Sequence, residues 1–247
     1  AQSDDVMVYE EKDDTFSTTV YKTKSRDYLM IASYQTLSTE YRYLSANDPS
    51  GDWKLVEPRK RDHEYSVSHF GDDFYIVTNW EAKNFRLMKT PVNKPQRSNW
   101  TEVIAHRPEV LLEGIEIFKD YLIVEERSNA LTHINVRRWD GAGEYYLEFQ
   151  DPVYTSGVGS NPEFDTDIMR YGYTSLTTPS SVYDFNLATK ERTLLKQQKV
   201  LGGTFSPDDY ASERVFAKAD DGTMIPMSIV YKKGFKNLFG NVLTDRL

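Results

Sequence analysis

Tyr121–Arg137 reads YLIVEERSNALTHINVR: a short apolar strand, a polar turn, then a second strand in which apolar and polar residues alternate. The same pattern recurs without gaps in Tyr28–Leu44 (YLMIASYQTLSTEYRYL), Phe74–Thr90 (FYIVTNWEAKNFRLMKT) and Met169–Phe185 (MRYGYTSLTTPSSVYDF). The starts lie 46, 47 and 48 residues apart. Each unit is preceded by a β-rich lead-in such as FSTTVYKTKSRD or YSVSHFGDD. Arg26-Asp27, Gly71-Asp72-Asp73 and Lys119-Asp120 stand at matching turn positions, where Asp, Asn and Gly tolerate tight backbone geometry. A long, nearly constant period built of short strands is the pattern of β-propeller blades. Helix-pair solenoids would show 3.6-residue apolar spacing, which is absent. A two-sheet sandwich is the competing arrangement. The expected fold is therefore all-β: a partial β-propeller of about four blades, each of four antiparallel strands.

Beyond these units the chain changes character. Leu201-Gly202-Gly203 and Ser206-Pro207-Asp208-Asp209 form a turn-rich stretch that suits a domain boundary. Ser212–Lys233 (SERVFAKADDGTMIPMSIVYKK) follows, with Asp-Gly between two strand-like runs, and predicts a C-terminal β-hairpin. The expected division is a propeller region over residues 1–209 and a second region over 210–247. The last stretch, 234–247 (GFKNLFGNVLTDRL), is too short to classify.

Composition narrows the function classes. The 247 residues carry 38 Asp+Glu against 30 Lys+Arg, a net charge of -8. No basic block is present, so a nucleic-acid partner is disfavoured. No apolar run is long enough to span a bilayer, and AQSDDVMVYEEKDD at the start has neither the basic nor the apolar region of a signal peptide. No membrane partner and a cytoplasmic location are expected. The absence of cysteine removes disulfides, thiol nucleophiles and zinc-thiolate sites, and fits a reducing compartment.

Val8–Asp14 (VYEEKDD), Pro58–Tyr65 (PRKRDHEY), Asn84–Lys89 (NFRLMK), Leu112–Arg127 (LEGIEIFKDYLIVEER), Asn161–Glu163 (NPE), Arg170–Pro179 (RYGYTSLTTP) and Val215–Tyr231 (VFAKADDGTMIPMSIVY) carry a resemblance over most of the chain. The chain resembles the oligopeptidase B group of the prolyl oligopeptidase family of serine peptidases. The resemblance implies a seven-bladed propeller covering an α/β-hydrolase domain. Ala1 to about Asp209 would be the later part of that propeller, and the Ser212–Lys233 hairpin the first strands of the hydrolase. It further implies cleavage of short peptides after Arg or Lys by an acyl-enzyme route, with the propeller as lid and size filter.

The chain departs from that pattern in its chemistry. It contains no Gly-x-Ser-x-Gly and no Gly-Gly-Ser-Ala-Gly, and Gly157-Val158-Gly159-Ser160-Asn161 has the wrong spacing for a nucleophile elbow. No catalytic residue is assigned, and the missing blades and hydrolase domain, or a second copy of the chain, are the expected partners. A stand-alone, non-catalytic binding module is the alternative. His63 and His69 share a strand face, but six residues span roughly 20 Å, too far for one metal; no metal or cofactor is expected. Arg59, Arg61, Asp62, His63 and Glu64 lie in the densest mixed-charge run and are candidate inter-domain or rim contacts, though a solvated loop is the simpler reading. Glu10, Glu11, Asp13 and Asp14 form an acidic cluster that could steer short basic peptides, though an acidic soluble surface needs no further role.

Overall fold

A computed structural model describes residues 5–234; the end of the expected second region, 235–247, lies outside the described residues. Among the described residues every long element is a strand, interrupted only by 3-10 turns at Arg97–Asn99 and Pro207–Asp209. The strands form four four-stranded antiparallel sheets in which chain neighbours are sheet neighbours, followed by a two-stranded hairpin. The first sheet holds β1 (Ser17–Lys22), β2 (Tyr28–Gln35), β3 (Ser38–Ser45) and β4 (Lys54–Leu55), and the second β5 (Tyr65–Phe70), β6 (Asp73–Thr78), β7 (Arg86–Pro91) and β8 (Thr101–Ile104). The third holds β9 (Val110–Ile117), β10 (Tyr121–Ser128), β11 (Leu131–Arg138) and β12 (Glu144–Tyr146), and the fourth β13 (Tyr154–Val158), β14 (Ile168–Ser175), β15 (Ser181–Asn186) and β16 (Arg192–Gln197).

The four aligned segments of the sequence fall on the second and third strands of successive sheets, so the repeat is structural. The quoted Tyr121–Arg137 is the β10–β11 hairpin, paired from Tyr121↔Arg138 to Ser128↔Leu131. Its two-residue loop, Asn129-Ala130, has both φ values positive, 48° and 57°, as the twist-matched tight turn requires. The second strands β6 and β10 are apolar on both faces because both are covered: Ile76 and Val77, and Ile123 and Val124, are all buried, whereas β14 buries Met169 and Tyr171 and exposes Arg170. The outermost β16 is exposed along its length.

Contacts group the chain into two units, one ending at Pro108 and one starting at Glu109. In the first, Met30, Tyr43, Tyr65, Val67, Phe74 and Ile76 pack the first sheet against the second. In the second, Phe118, Tyr121, Ile123, Met169, Tyr171 and Phe185 pack the third sheet against the fourth. Tyr171 is only 1% exposed there.

The C-terminal hairpin pairs β17 (Tyr210–Lys218) with β18 (Met224–Lys232). Its turn is closed by the Gly222 N–H donating to the Ala219 carbonyl and by Thr223 N–H donating to Asp221 Oδ1, with Gly222 at φ 87°. Cross-strand register puts Val215 opposite Met227, Ala217 opposite Ile225 and Glu213 opposite Ile229. Val215, Ala217, Ile225, Met227, Ile229 and Tyr231 thus share a nearly continuous apolar face. Ile225 and Met227 on it are 48% and 42% exposed.

Candidate functional site

The two charged groups singled out in the sequence meet in the first unit. Arg59 Nη2 donates to Glu11 Oε2 at 2.6 Å and lies 3.5 Å from Glu40 Oε1, while the Arg59 backbone N–H donates to Glu40 Oε2 at 3.0 Å. Arg42 Nη1 donates to Glu40 Oε1 at 2.5 Å and to the Tyr9 hydroxyl at 3.3 Å. The guanidinium of Arg59 also covers the Phe16 ring at 4.0 Å. Burial alone would raise the Glu11 carboxyl. The Arg59 guanidinium, the Asp13 N–H and the Tyr9 hydroxyl outweigh it and hold the pKa at about 2. This cluster ties the segment before β1 to β3 and to the turn before β5.

Glu11 is thereby committed to an internal cation. Asp13 is likewise engaged, its Oδ1 accepting the Thr15 hydroxyl at 2.7 Å and the Thr15 N–H at 3.0 Å, which lowers its pKa. Glu10 and Asp14 are exposed. The four acidic residues do not form one patch of free charge.

The rest of the Arg59–Glu64 run divides between surface and interior. Arg61 and Asp62 are exposed and 4.0 Å apart, with Asp62 in a left-handed turn at φ 65°. The Glu64 N–H donates to Asn79 Oδ1 at 2.9 Å at the open end of the β5–β6 pair, next to Tyr65↔Thr78. His63 does not sit on a rim: it is 1% exposed. Its Nε2 pairs with Thr78 Oγ1 at 3.0 Å, and its ring stacks on Tyr65 and meets the edge of Trp80. Its Nδ1 has no hydrogen-bond partner among the described residues. Burial first, then the positive charges of Arg97 and Lys60, lower its pKa to about 4, so the ring is neutral at pH 7. His69 is also interior, with Nδ1 2.8 Å from Ser25 Oγ, so the two histidines have separate partners.

Sequence reasoning missed Tyr9, Glu40, Arg42 and Glu57. Glu57 is 8% exposed and accepts the Arg97 N–H at 2.9 Å, and Arg97 in turn covers Trp80 at 3.6 Å. Glu40 and Arg42 are neighbours on one strand, but Tyr9, Arg59 and Arg97, with which these residues pair, lie far away in sequence, and only the fold reveals the meeting.

Several clefts have the volume of a small-ligand site. One of about 610 Å³ lies at the end of the first two sheets, lined by Tyr28, Asp48, Asp52, Lys54 and Asp72. Another of about 580 Å³ lies in the second unit between β12 and the β15–β16 turn, lined by Tyr145, Phe149, Phe185, Lys190 and Arg192. Among the described residues no group of His, Asp and Glu is arranged to hold a metal, and no helix is long and apolar enough to cross a membrane.

Comparison with known proteins places this architecture. Residues 1–198 match the family described as "Prolyl oligopeptidase, N-terminal beta-propeller domain". The chain is 40% identical over 233 residues to dipeptidyl aminopeptidase BI of Pseudoxanthomonas mexicana, covering 94% of this chain and 32% of that protein. It is 31% identical over 230 residues to protease 2 of Moraxella lacunata, covering 93% and 33%. Oligopeptidase B of Leishmania major superposes with a TM-score of 0.82 at 31% identity, over 95% of this chain and 34% of that one. Oligopeptidase B of Trypanosoma brucei, solved with covalently bound antipain in a closed form, gives 0.84 at 29% identity, over 97% and 35%. The chain spans about a third of the length of these relatives. With its four successive four-stranded sheets and the match over 198 of its residues, the chain belongs to the family of prolyl oligopeptidase N-terminal β-propeller domains.

Proposed function

We propose that this chain is the propeller region, the lid and size filter, of an oligopeptidase-B-like serine peptidase that cleaves short peptides after Arg or Lys in the cytoplasm. The triad and oxyanion hole come from a hydrolase domain outside these residues. The observation that carries this is the hairpin. The likeness to T. brucei oligopeptidase B extends over 97% of the chain, past residue 198 where the propeller family match ends. There β17 and β18 present an apolar face with Ile225 and Met227 uncovered, the face a following domain would bury. Blades that surround a narrow passage admit an extended peptide and exclude a folded protein. Nothing in that role needs a nucleophile on the blades.

A second reading, removal of dipeptides from free amino termini, is favoured by the 40% identity to a dipeptidyl aminopeptidase. One experiment tests both. The matched segment of T. brucei oligopeptidase B is replaced by these residues, and the chimaera and the 247-residue chain alone are assayed on Arg- and Lys-capped chromogenic peptides with blocked and free amino termini. The proposal expects no turnover by the chain alone, and cleavage of blocked peptides by the chimaera that a serine-directed acylating reagent abolishes. Cleavage confined to free amino termini supports the second reading. Turnover by the purified chain alone, or a folded chimaera without activity, contradicts the proposal.

A further inference from the structure

In the second unit, most cations of the β-sheet surface are paired, but two that line one cleft are not. Lys119, Arg127, Arg137, Arg138 and Arg170 each pair with an acid: Asp165, Glu113, Glu144, Asp140 and Asp184. Lys190 in the β15–β16 turn and Arg192 at the start of β16, with Glu191 between them, have no carboxylate within 4 Å among the described residues. They are instead held over rings. Lys190 Nζ lies 4.1 Å from the centre of Tyr145, and Arg192 Cζ lies 5.3 Å from Phe149 and 5.8 Å from Phe185. Both line the 580 Å³ cleft, and Arg192 with Phe149 and Gln150 also lines an adjoining cleft of about 290 Å³.

The nearby acids are occupied or turned elsewhere. Asp151, in the adjoining cleft, accepts the hydroxyls of Tyr173 at 2.5 Å, Thr178 at 3.2 Å and Thr177 at 3.3 Å. Glu148 engages Arg192 through its backbone carbonyl, which takes one N–H of the guanidinium and fixes its plane. The Glu191 carboxylate accepts from Thr189. Tyr145 is locked by its hydroxyl donating to the Leu187 carbonyl at 2.8 Å, so the floor beneath Lys190 is rigid.

We infer that this cleft binds the C-terminal residue of a short peptide: a free carboxylate on the Lys190–Arg192 pair, with an aromatic or large apolar side chain on Tyr145, Phe149 and Phe185. A guanidinium with one N–H anchored keeps donors free for a planar carboxylate. Ring faces already polarised by cations receive an apolar body without exposing an unpaired donor. Gln150 also lines both clefts and adds an amide that can donate or accept. The volume is that of a small-ligand site. The cleft lining carries Lys190 and Arg192 against the single acid Glu148, on a chain whose net charge is -8. The assignment is independent of the peptidase reading, since it rests only on groups of this unit.

The test is calorimetric titration of the 247-residue chain with N-acetylphenylalanine, N-acetylphenylalaninamide, N-acetylalanine and benzoate, repeated on Lys190→Gln and Arg192→Gln. The inference expects N-acetylphenylalanine to bind about tenfold more tightly than the amide, and N-acetylalanine to bind more weakly for want of a ring. Each variant should lose about fivefold or more in affinity for the acid while binding the amide as before. Unchanged thermal unfolding shows that the variants are folded, and Lys190→Gln, which breaks no backbone contact, keeps the test valid if Arg192→Gln is not. Equal affinity for acid and amide, or acid binding unaffected by Lys190→Gln, overturns the site. Benzoate binding as tightly as N-acetylphenylalanine overturns the peptide terminus as its ligand.

Discussion

Glu11 and Arg59 show how a single pair can hold an otherwise irregular segment on the fold. Residues 5–16 form no strand, yet Tyr9 meets Ser33 at 2.9 Å and Glu11 meets Arg59 at 2.6 Å. Replacing Glu11 by Gln is expected to lower stability by about 1 kcal/mol, the scale of a partly shielded, hydrogen-bonded ion pair. Because the folded carboxyl titrates near 2, below the ordinary 4.5, its contribution is present above pH 4.5 and is lost as pH falls toward 2. Thermal melts between pH 6 and 2 check this: Glu11→Gln should lie below the parent at pH 6 and converge with it near pH 2. His63 gives a second acid response. Its folded pKa, near 4, lies below the ordinary 6.5, so the unfolded chain takes up the proton first and stability falls as pH drops from 6.5 to 4. Lys60 and Arg97 face the ring, and Glu57 sits behind Arg97, so no carboxylate contacts the imidazole to offset the new charge. His63→Phe keeps the stack on Tyr65, loses the Thr78 bond, and is expected to flatten the melt profile over that window. A profile parallel to the parent's would contradict the assignment.

At the scale of elements, second strands carry the load and the hairpin is the weak point. Phe74 is fully buried and packs edge-on against Tyr43 at 4.9 Å and Tyr28 at 5.5 Å. Phe74→Ala is expected to cost about 3–5 kcal/mol, read as a lower denaturant midpoint. Amide exchange should be fastest in β17–β18, and Gly222→Val should speed it further, since a β-branched residue resists the φ of 87° there. These elements were legible because their signals are local: period-two alternation fixes a strand, and Asp221-Gly222 marks its turn. The hairpin spans 210–232, close to the expected 212–233. The charged cluster was not legible. Glu40 looks like any polar residue of an alternating strand, and only the pairing of β2 with β3 and the packing of the first two sheets bring it under Arg59. His63 sits in a hydrophilic run, RKRDHE, yet turns inward because the Ser38–His63 bridge draws that residue between two sheets.

At the scale of the whole molecule, the account rests on blades that serve a catalytic domain rather than act alone. The uncovered face of β18 should make the isolated chain associate as concentration rises, seen by light scattering, and the Ile225→Lys, Met227→Lys double variant should suppress that association. The most direct measurement is the rate at which the oligopeptidase B chimaera carrying these residues cleaves one Arg site presented in a short peptide and in a folded protein. The account predicts rapid cleavage of the peptide and none of the folded protein. Comparable cleavage of both would contradict the role of this chain as a lid and size filter.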